Sequence, residues 1–506
     1  MNLKSKNQKY CWIVVINLML IAVVLHIIGF FRGTSFFLDE LNLARNIAEF
    51  SYVDLLFPLR YEQYAPPFFL QMVKGSADVW GYTEYGLRLI PLLASLASII
   101  LFYFLLRRFF KNWLLLYPLV LLIFNFYFYQ QSMAVKQYTL DILLTVLLIF
   151  MATKMPNPKG RKLIYFALLG SISVWFSMPV VFILTGVGFY FLYNNWKIEE
   201  YHFENKRKPF LHFTPLLLMI GSWLISFGIL FWLNLRHGIQ TSGLQQYHTT
   251  YFLELPTSLA HIEQSWELIM GVFRGIVGKT AIAIGWGILC FILGIFYLWK
   301  KDKALLILLL LPVVTCFFAS IVHYYSLIIR LTLFMFPLLI ILMGFGVVFI
   351  FEKVNFSNKI QKCMALTVLS FLMIFSAIHR NALPYLWTEY VRGNPRAVLK
   401  EISQTEEQDL PLYATNFGVA AYDFYTKYYE VPIVIDSETV VYGKWNDDLT
   451  VLAKKWKQQG IERIWIFDSH TFGDNKAKLI KEINAIGIIE KQFVDVFADG
   501  ILIELK

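Results

Sequence analysis

The chain of 506 residues contains little charge and little cysteine. Only 16% of its residues are Asp, Glu, Lys or Arg, and only four are cysteine. All four cysteines lie in apolar stretches, so the sequence offers no disulfide framework for an outer domain. CxxC, HExxH and a Walker-type glycine loop are also missing. Zinc hydrolysis and ATP-driven transport therefore have no supporting motif.

Apolar residues are abundant instead. The sequence is 58% hydrophobic and 17% aromatic, and its mean hydropathy is +0.56. These values are typical of a polytopic membrane protein built mainly from α-helices. The first apolar segment, 11–31, runs directly into Arg32 without a small-residue cleavage site. We therefore expect it to remain as a membrane helix rather than to be removed as a signal peptide.

Apolar runs of roughly 17 to 25 residues predict about eleven membrane spans. The fifth and sixth are split at Met178-Pro179 and are also compatible with one broken helix pair. The predicted spans are 11–31, 87–106, 113–129, 138–153, 163–177, 180–193, 211–233, 280–299, 304–323, 331–351 and 363–378.

Lys and Arg are concentrated in every second loop, which predicts the orientation of the chain. The basic segment before the first span places the amino terminus in the cytoplasm. With an odd number of spans, the loop 32–86 and the carboxyl-terminal region lie outside the cytoplasmic membrane. The net charge of +10 follows mostly from this bias, so no nucleic-acid partner is needed to explain it.

The region after about residue 380 is less hydrophobic, and short strand-like runs alternate with helical patterns. We predict a membrane domain at 1–379 and an extracytoplasmic α/β domain at 380–506. The run 492–503 is predicted to be a closing hairpin that turns at Asp499-Gly500. The other predicted elements are strands at 412–415, 431–435 and 463–467 and helices at 420–429 and 448–459.

An acidic pair, Asp39-Glu40, follows the first span. The segment after it, through Pro66-Pro67 to Arg88, supplies aromatics, prolines and cations but no core for a soluble domain. This pattern is typical of a reaction-chamber wall at the membrane surface. A plainer interpretation stays open, in which the two acids belong to the first turn of a surface helix at 41–50, where acidic residues are favoured.

An ordered set of short motifs carries a resemblance to a known family. The set comprises Phe37-Leu38-Asp39-Glu40, Ala65-Pro66-Pro67-Phe68, the segment 81–88, Lys136-Gln137-Tyr138 and Arg330. It resembles the GT-C superfamily, and more narrowly the bacterial branch related to protein O-mannosyltransferases and the lipid A aminoarabinose transferase. The resemblance implies a membrane glycosyltransferase. Such an enzyme takes a sugar from a polyprenyl phosphate and places it on a hydroxyl of a lipid, glycan or protein at the outer membrane face.

The residue types suit that chemistry. A lipid phosphate is already a good leaving group, so it needs cations that stabilise its developing charge. The acceptor hydroxyl is a weak nucleophile and gains from a carboxylate that takes its proton. The resemblance assigns Asp39 as the base and Glu40 as the residue that orients it or the acceptor. It places Lys136, Arg330, Arg88 and Arg60 at the donor phosphate, and Tyr64, Pro66, Pro67, Tyr138 and Asp141 along the sugar or acceptor.

The sequence departs from the aminoarabinose branch at one position. A lysine precedes the loop proline in that branch, whereas Gln63-Tyr64-Ala65 precedes Pro66 here. Other cations must then hold the donor phosphate, and the identity of the sugar stays open. The chemistry requires no cofactor, and a divalent metal at the acidic pair is left open.

Other interpretations remain at this stage. Arg88, Arg330 and Lys136 are also compatible with interfacial cations that extend toward water. The aromatic cluster 124–129 is more typical of an interface belt than of a sugar platform. The loop histidines His237, His248 and His261 lack metal-ligand spacing, which favours a surface loop or an acceptor-binding role over a metal site. A secondary transporter would show repeated halves with broken helices, and the sequence has no internal repeat. An envelope polysaccharide polymerase or ligase remains an alternative, as does a scaffold with a ligand-binding outer domain.

Overall fold

A computed structural model describes residues 3–202, 210–236, 246–353, 393–437, 439–445 and 447–506. Its amino-terminal part is helical. In these residues the helices before residue 354 are α1 (Leu3–Phe31), α2 (Leu38–Glu49), α3 (Pro67–Trp80), α4 (Glu84–Phe109), α5 (Leu116–Ile123), α6 (Phe126–Ser132), α7 (Tyr138–Lys154), α8 (Arg161–Phe176), α9 (Val180–His202), α10 (Phe210–Leu230), α11 (Leu259–Val277), α12 (Ala281–Lys301), α13 (Lys303–Ile321) and α14 (Phe336–Lys353).

The apolar helices confirm a multi-pass membrane protein. Six helices of the described residues are long and apolar enough to cross a membrane, and a bent pair raises the number to seven. The predicted total of about eleven exceeds this number because α7 and α8 have only 17 and 16 residues and the last turns of α9 are polar. The predicted eleventh span, 363–378, and the predicted domain boundary at residue 379 lie outside the described residues.

The predicted third span, 113–129, is not one straight helix. The chain bends by 52° between Trp113–Ile123 and Phe126–Ser132. Asn125 causes this break because its side-chain oxygen accepts a hydrogen bond from Phe128 N–H at 3.1 Å and so caps a new helix. The same side chain donates to the carbonyl of Gly275 at 2.7 Å. The break is therefore held by α11 and brings the start of α6 toward the site described below.

Two membrane helices approach each other closely at glycines. A Cβ atom at Gly294 of α12 would meet the carbonyl oxygen of Leu342, and one at Gly346 of α14 would meet the carbonyl oxygen of Cys290. Small residues permit this kind of backbone contact in membranes, where dispersion contacts rather than hydrophobic burial hold helices together. The crossing fixes α14, and the loop that precedes α14 carries Arg330.

The carboxyl-terminal part is a five-stranded mixed sheet covered by helices. The strand order is β2-β1-β3-β5-β4, in which β1 pairs in parallel with β2 and β3, and β5 pairs antiparallel with β3 and β4. The elements are α15 (Pro395–Ile402), β1 (Leu412–Ala414), α16 (Gly418–Asp423), β2 (Val440–Tyr442), α17 (Leu449–Gln458), β3 (Arg463–Ser469), α18 (Gly473–Ile486), β4 (Gly487–Asp495) and β5 (Ala498–Leu505).

This sheet confirms the predicted α/β class, with two corrections. The segment 431–435 is not a strand; the strand β2 begins later, at Val440. The hairpin turns at Val496-Phe497, and Asp499-Gly500 lie inside β5. Gly500 does not form a turn. Its lack of a side chain lets the helix α15 pack closely across the strand, because a Cβ there would lie 2.8 Å from the Ile402 side chain.

A buried carboxylate joins the two parts. Glu84, at the start of α4, is 1% exposed and pairs with Arg396 at 2.8 Å. It also accepts hydrogen bonds from the hydroxyls of Tyr429 at 2.6 Å and Tyr425 at 3.2 Å. A second ion pair, Arg45 with Asp423 at 2.7 Å, is also buried. The carboxyl-terminal domain is therefore fixed directly against α2 and against the first turn of the membrane helix α4.

The helix crossing generates a stability prediction. We expect Gly294→Val to lower the free energy of unfolding by about 3 kcal/mol, the upper end of the usual cost of overpacking, because the added atoms meet backbone that cannot rotate away. Gly285→Val on the same helix is the matched control, since a Cβ there has no heavy atom within 4 Å. Thermal unfolding in detergent measures both variants. Equal melting temperatures would show that the two helices do not cross at Gly294.

Candidate active site

The site begins at the amino terminus of α2. Asp39 and Glu40 lie in the first helical turn, where the helix dipole favours negative charge. The Glu40 carboxylate accepts a hydrogen bond from Phe37 N–H at 3.1 Å and so satisfies one of the free donors at the helix start. The plainer interpretation of the acidic pair thus describes part of the role of Glu40. The Asp39 side chain is 34% exposed and lines a cavity.

Glu40 is held in a buried pair with Arg88 of α4. Arg88 Nε and Nη2 donate to the two carboxylate oxygens at 3.1 and 3.2 Å, which is the bidentate geometry of a strong ion pair. Both side chains are 4% exposed. The same carboxylate accepts Val135 N–H at 2.8 Å. Since Val135 precedes Lys136, this pair fixes the loop that carries Lys136 relative to Asp39.

Lys136 lies in the loop between α6 and α7. Its ammonium group donates to the amide oxygen of Gln63 at 2.9 Å, and the residue is buried. Gln63 stands in the segment that departs from the aminoarabinose branch. In this chain the segment therefore supplies a neutral hydrogen-bond acceptor, the Gln63 amide oxygen, to a lysine from a distant loop.

Arg330 approaches Asp39 from the loop between α13 and α14. Its guanidinium contacts the Asp39 carboxylate at 3.0 Å. Among the described residues, the buried Nε of Arg330 has no hydrogen-bond partner. Burial acts to lower the pKa of Arg330, but the neighbouring Tyr138 and Asp39 outweigh it, so the pKa is raised above its ordinary value. Arg330 is therefore a permanent positive charge with one donor still to be satisfied.

These side chains share one cavity of about 460 Å³. Five residues predicted from the sequence meet there, although they come from three distant segments. The cavity also has two walls that were not predicted, one from α6 and one from the carboxyl-terminal domain. The lining residues are Phe37, Asp39, Glu40, Tyr127, Gln130, Gln131, Lys136, Tyr138, Ile328, Ile329, Arg330, Phe472 and Phe497.

Other predicted site residues do not line this cavity. Arg88 lies behind Glu40. Arg60 is 65% exposed and pairs at 3.1 Å with Glu49, the last residue of α2. Asp141 is buried within α7. Pro66 and Pro67 lie at the start of α3, and Tyr64 is half-buried in the loop before it. Their direct roles at the donor or acceptor stay predictions.

Several residues near the cavity were not assigned to the site from the sequence. Tyr127 belongs to the cluster 124–129 that was assigned to an interface belt, yet it lines the cavity. His248 bonds the Ser326 hydroxyl at 2.7 Å, and burial and Arg330 lower its pKa. Burial lowers the pKa of His470 to about 4, so its imidazole is neutral at physiological pH. No local motif marks these positions, because each is brought to the site by packing between distant segments.

Both carboxylates of the acidic pair are engaged by arginines in this structure. Ca²⁺ takes six to eight oxygen ligands, and Mg²⁺ needs octahedral oxygen coordination. In the described residues no three His, Cys, Asp or Glu side chains gather to hold an ion. The chemistry below therefore uses only the charges of these side chains.

Comparison with solved structures gives the same architecture. The apo state of ArnT from Cupriavidus metallidurans is similar at 11% identity and a TM-score of 0.52, over 97% of both chains. ArnT bound to undecaprenyl phosphate is similar at 11% identity and a TM-score of 0.50, over 97% of this chain and 98% of that chain. The chain has the GT-C fold.

The GT-C fold extends over nearly the whole chain, including the carboxyl-terminal domain. This coverage confirms the predicted fold class. The Archaeoglobus fulgidus oligosaccharyltransferase, tethered with an acceptor peptide, aligns at 11% identity and a TM-score of 0.47, over 89% of this chain and 68% of that chain. Comparison by sequence alone finds no matching family and no matching curated protein.

The geometry separates structural arginines from surface ones. We expect Arg88→Ala to lower the free energy of unfolding by about 3 kcal/mol, because it leaves the buried Glu40 carboxylate without its cation. Arg60→Ala removes an exposed pair and should change stability by less than about 1 kcal/mol. Thermal unfolding of the two variants in the same detergent makes the comparison. A smaller loss for Arg88→Ala than for Arg60→Ala would contradict the assigned network.

Proposed function

We propose that this protein is a membrane glycosyltransferase that moves a sugar from a polyprenyl-phosphate donor to a hydroxyl acceptor. The observation that carries the proposal is the convergence of Asp39, Lys136 and Arg330 on one cavity inside the GT-C fold. A carboxylate and two cations match the needs of this reaction, in which one partner loses a proton and the other gains phosphate charge.

Asp39 is the proposed general base. It is the partly exposed acid of the pair, so an acceptor hydroxyl in the cavity reaches its carboxylate, whereas Glu40 is enclosed by Arg88 and Val135. As the hydroxyl oxygen attacks the anomeric carbon, its proton passes to Asp39. The bond from the anomeric carbon to the phosphate oxygen breaks, and its electron pair leaves with the phosphate.

Lys136 and Arg330 are the proposed phosphate ligands. In an in-line displacement, the attacking oxygen and the leaving phosphate lie on opposite sides of the anomeric carbon. Asp39 and Arg330 are 3.0 Å apart, which leaves no room for a sugar between them. We infer that the donor phosphate draws Arg330 away from Asp39, starting at its unpartnered Nε. This exchange releases the carboxylate as base only when the donor is present.

The likeness to a GT-C protein bound to undecaprenyl phosphate supports a lipid-phosphate donor. The alternation of basic loops supports placing the cavity at the outer face of the cytoplasmic membrane. In that arrangement the lipid tail of the donor lies among the membrane helices. The acceptor is a lipid, glycan or protein that enters from the side of the carboxyl-terminal domain.

Removing the base should stop the reaction without unfolding the protein. We expect Asp39→Asn to lower kcat by about 10² to 10⁴, since the amide cannot take the proton. The measurement is sugar transfer from a polyprenyl-phosphate donor by the purified protein, with thermal unfolding as a control for folding. Undiminished transfer by a correctly folded variant would remove Asp39 from the mechanism.

Removal of either cation should weaken binding of the donor more than binding of the acceptor. We expect Lys136→Ala and Arg330→Ala each to raise the KM for donor by at least about tenfold, since each removes a charge-assisted contact to phosphate. Arg463→Ala is the matched control and should leave KM unchanged, because Arg463 pairs with Glu490 at the start of β3, the end of that strand opposite to the loop that carries Phe472. Wild-type donor KM in both cavity variants would contradict the phosphate-binding role.

A further inference from the structure

Two loops of the carboxyl-terminal domain place aromatic rings in the wall of the cavity. The loop between β3 and α18 carries Phe472, and the turn between β4 and β5 carries Phe497. Both residues line the cavity that contains Asp39. Their ring centroids are 4.6 Å apart in an edge-to-face arrangement. We refer to Phe472 and Phe497 together as the aromatic platform.

The platform is unusually exposed for a pair of phenylalanines. The residues are 43% and 47% exposed, although burying them would stabilise the domain. The backbone is also strained at this place, with φ of +64° at His470 and +51° at Phe497. Bulky residues rarely adopt these angles, and such strain tends to occur at binding and catalytic sites.

The platform is fixed relative to the proposed base. His470 N–H donates to the carbonyl of Phe497 at 2.8 Å, which ties the two loops together. The His470 ring packs edge-on against Phe37 at 4.9 Å, and Phe472 lies 6.4 Å from the same ring. Phe37 is the N-cap residue of α2, whose first turn contains Asp39. The aromatic platform therefore packs against Phe37, which precedes Asp39 by two residues in the chain.

We propose that the aromatic platform binds the acceptor, and that the acceptor is a glycan whose pyranose ring stacks on Phe472 or Phe497. This inference rests on the proposed function. The electron-rich faces of aromatic rings attract C–H bonds that carry partial positive charge, and a pyranose presents several such bonds on one face. Its hydroxyls project from the edge of the ring, where one of them reaches Asp39.

The rest of the cavity favours a sugar over an acyl chain. The amide side chains of Gln130 and Gln131 line it together with the charged groups. An acyl chain would remove these polar groups from water without returning hydrogen bonds, which is costly. A pyranose satisfies both kinds of wall, because it is apolar on its faces and rich in hydroxyls around its rim. The platform also belongs to the outer domain rather than to the membrane helices.

Binding can be tested without knowing the natural acceptor. Saturation-transfer NMR on the full-length protein in nanodiscs would use methyl β-D-glucopyranoside, methyl β-D-galactopyranoside, methyl α-D-mannopyranoside, hexanoate and a serine-containing tripeptide as separate probes. We expect at least one glycoside to receive saturation at its ring C–H protons. Phe472→Ala and Phe497→Ala should each reduce that signal by at least about fivefold, since each removes one aromatic face.

Trp445→Ala is the matched control. Trp445 is a highly exposed aromatic residue of the same domain that packs on Phe417 at 5.4 Å and does not line the cavity. Its removal should leave the glycoside signal unchanged. The proposal would be overturned if no glycoside bound, if both phenylalanine variants bound glycosides like wild type, or if hexanoate or the tripeptide were the only probe that depended on the platform.

A second measurement separates this proposal from the proposed function. Hydrolysis of the donor without acceptor, in which water attacks the anomeric carbon to give free sugar and polyprenyl phosphate, reports on the donor site alone. We expect the phenylalanine variants to keep wild-type donor KM in this assay while losing glycoside binding. Failure of the wild-type protein to cleave any polyprenyl-phosphate sugar would contradict the proposed function. If the phenylalanine variants raised the KM for donor and also lost glycoside binding, the platform would be affecting the whole cavity. That result would overturn its role as an acceptor site.

Discussion

The buried ion pair between Glu40 and Arg88 is the interaction on which the site depends. It takes a charged carboxylate out of water, which is tolerable only because the bidentate guanidinium and Val135 N–H satisfy its oxygens. Those partners belong to a membrane helix and to the loop that carries Lys136. A single side chain therefore sets the position of the first turn of α2 relative to both, and the direction of Asp39 follows from it.

Two adjacent acids thus have different roles because of helix geometry. Successive residues of an α-helix are rotated by about 100° around its axis. When Glu40 points into the protein, Asp39 must point elsewhere, and here it points into the cavity toward Arg330. A pair of neighbouring acids is in this sense a compact way to combine an anchor with a reactive group. An isolated acid would need another element to orient it.

The sequence allowed prediction of the parts that local patterns encode. Hydropathy predicted the membrane helices, and the ordered motifs predicted that Asp39, Lys136, Tyr138 and Arg330 belong together, although they are far apart in the chain. The sequence did not reveal that Phe472 and Phe497 line the cavity, because no sequence pattern marks an exposed phenylalanine in a turn. Arg60 was grouped with the site because a cation in a loop looks the same whether it faces a cavity or water. Gly500 was misplaced in a turn because sequence does not distinguish a turn glycine from one under a crossing helix.

The first turns of α4 explain how the two domains build one cavity. Glu84 and Arg88 are four residues apart and so lie about one turn apart on the same face of the helix. Glu84 holds the carboxyl-terminal domain through Arg396, while Arg88 holds α2 through Glu40. The domain that carries the aromatic platform and the helix that carries Asp39 are consequently both bonded to one turn of α4. Their two attachment points, Glu84 and Arg88, are separated by roughly 6 Å along the helix axis. A helix bends little over that distance. The aromatic platform of the carboxyl-terminal domain is therefore held in a defined position relative to the Asp39 carboxylate of the membrane domain.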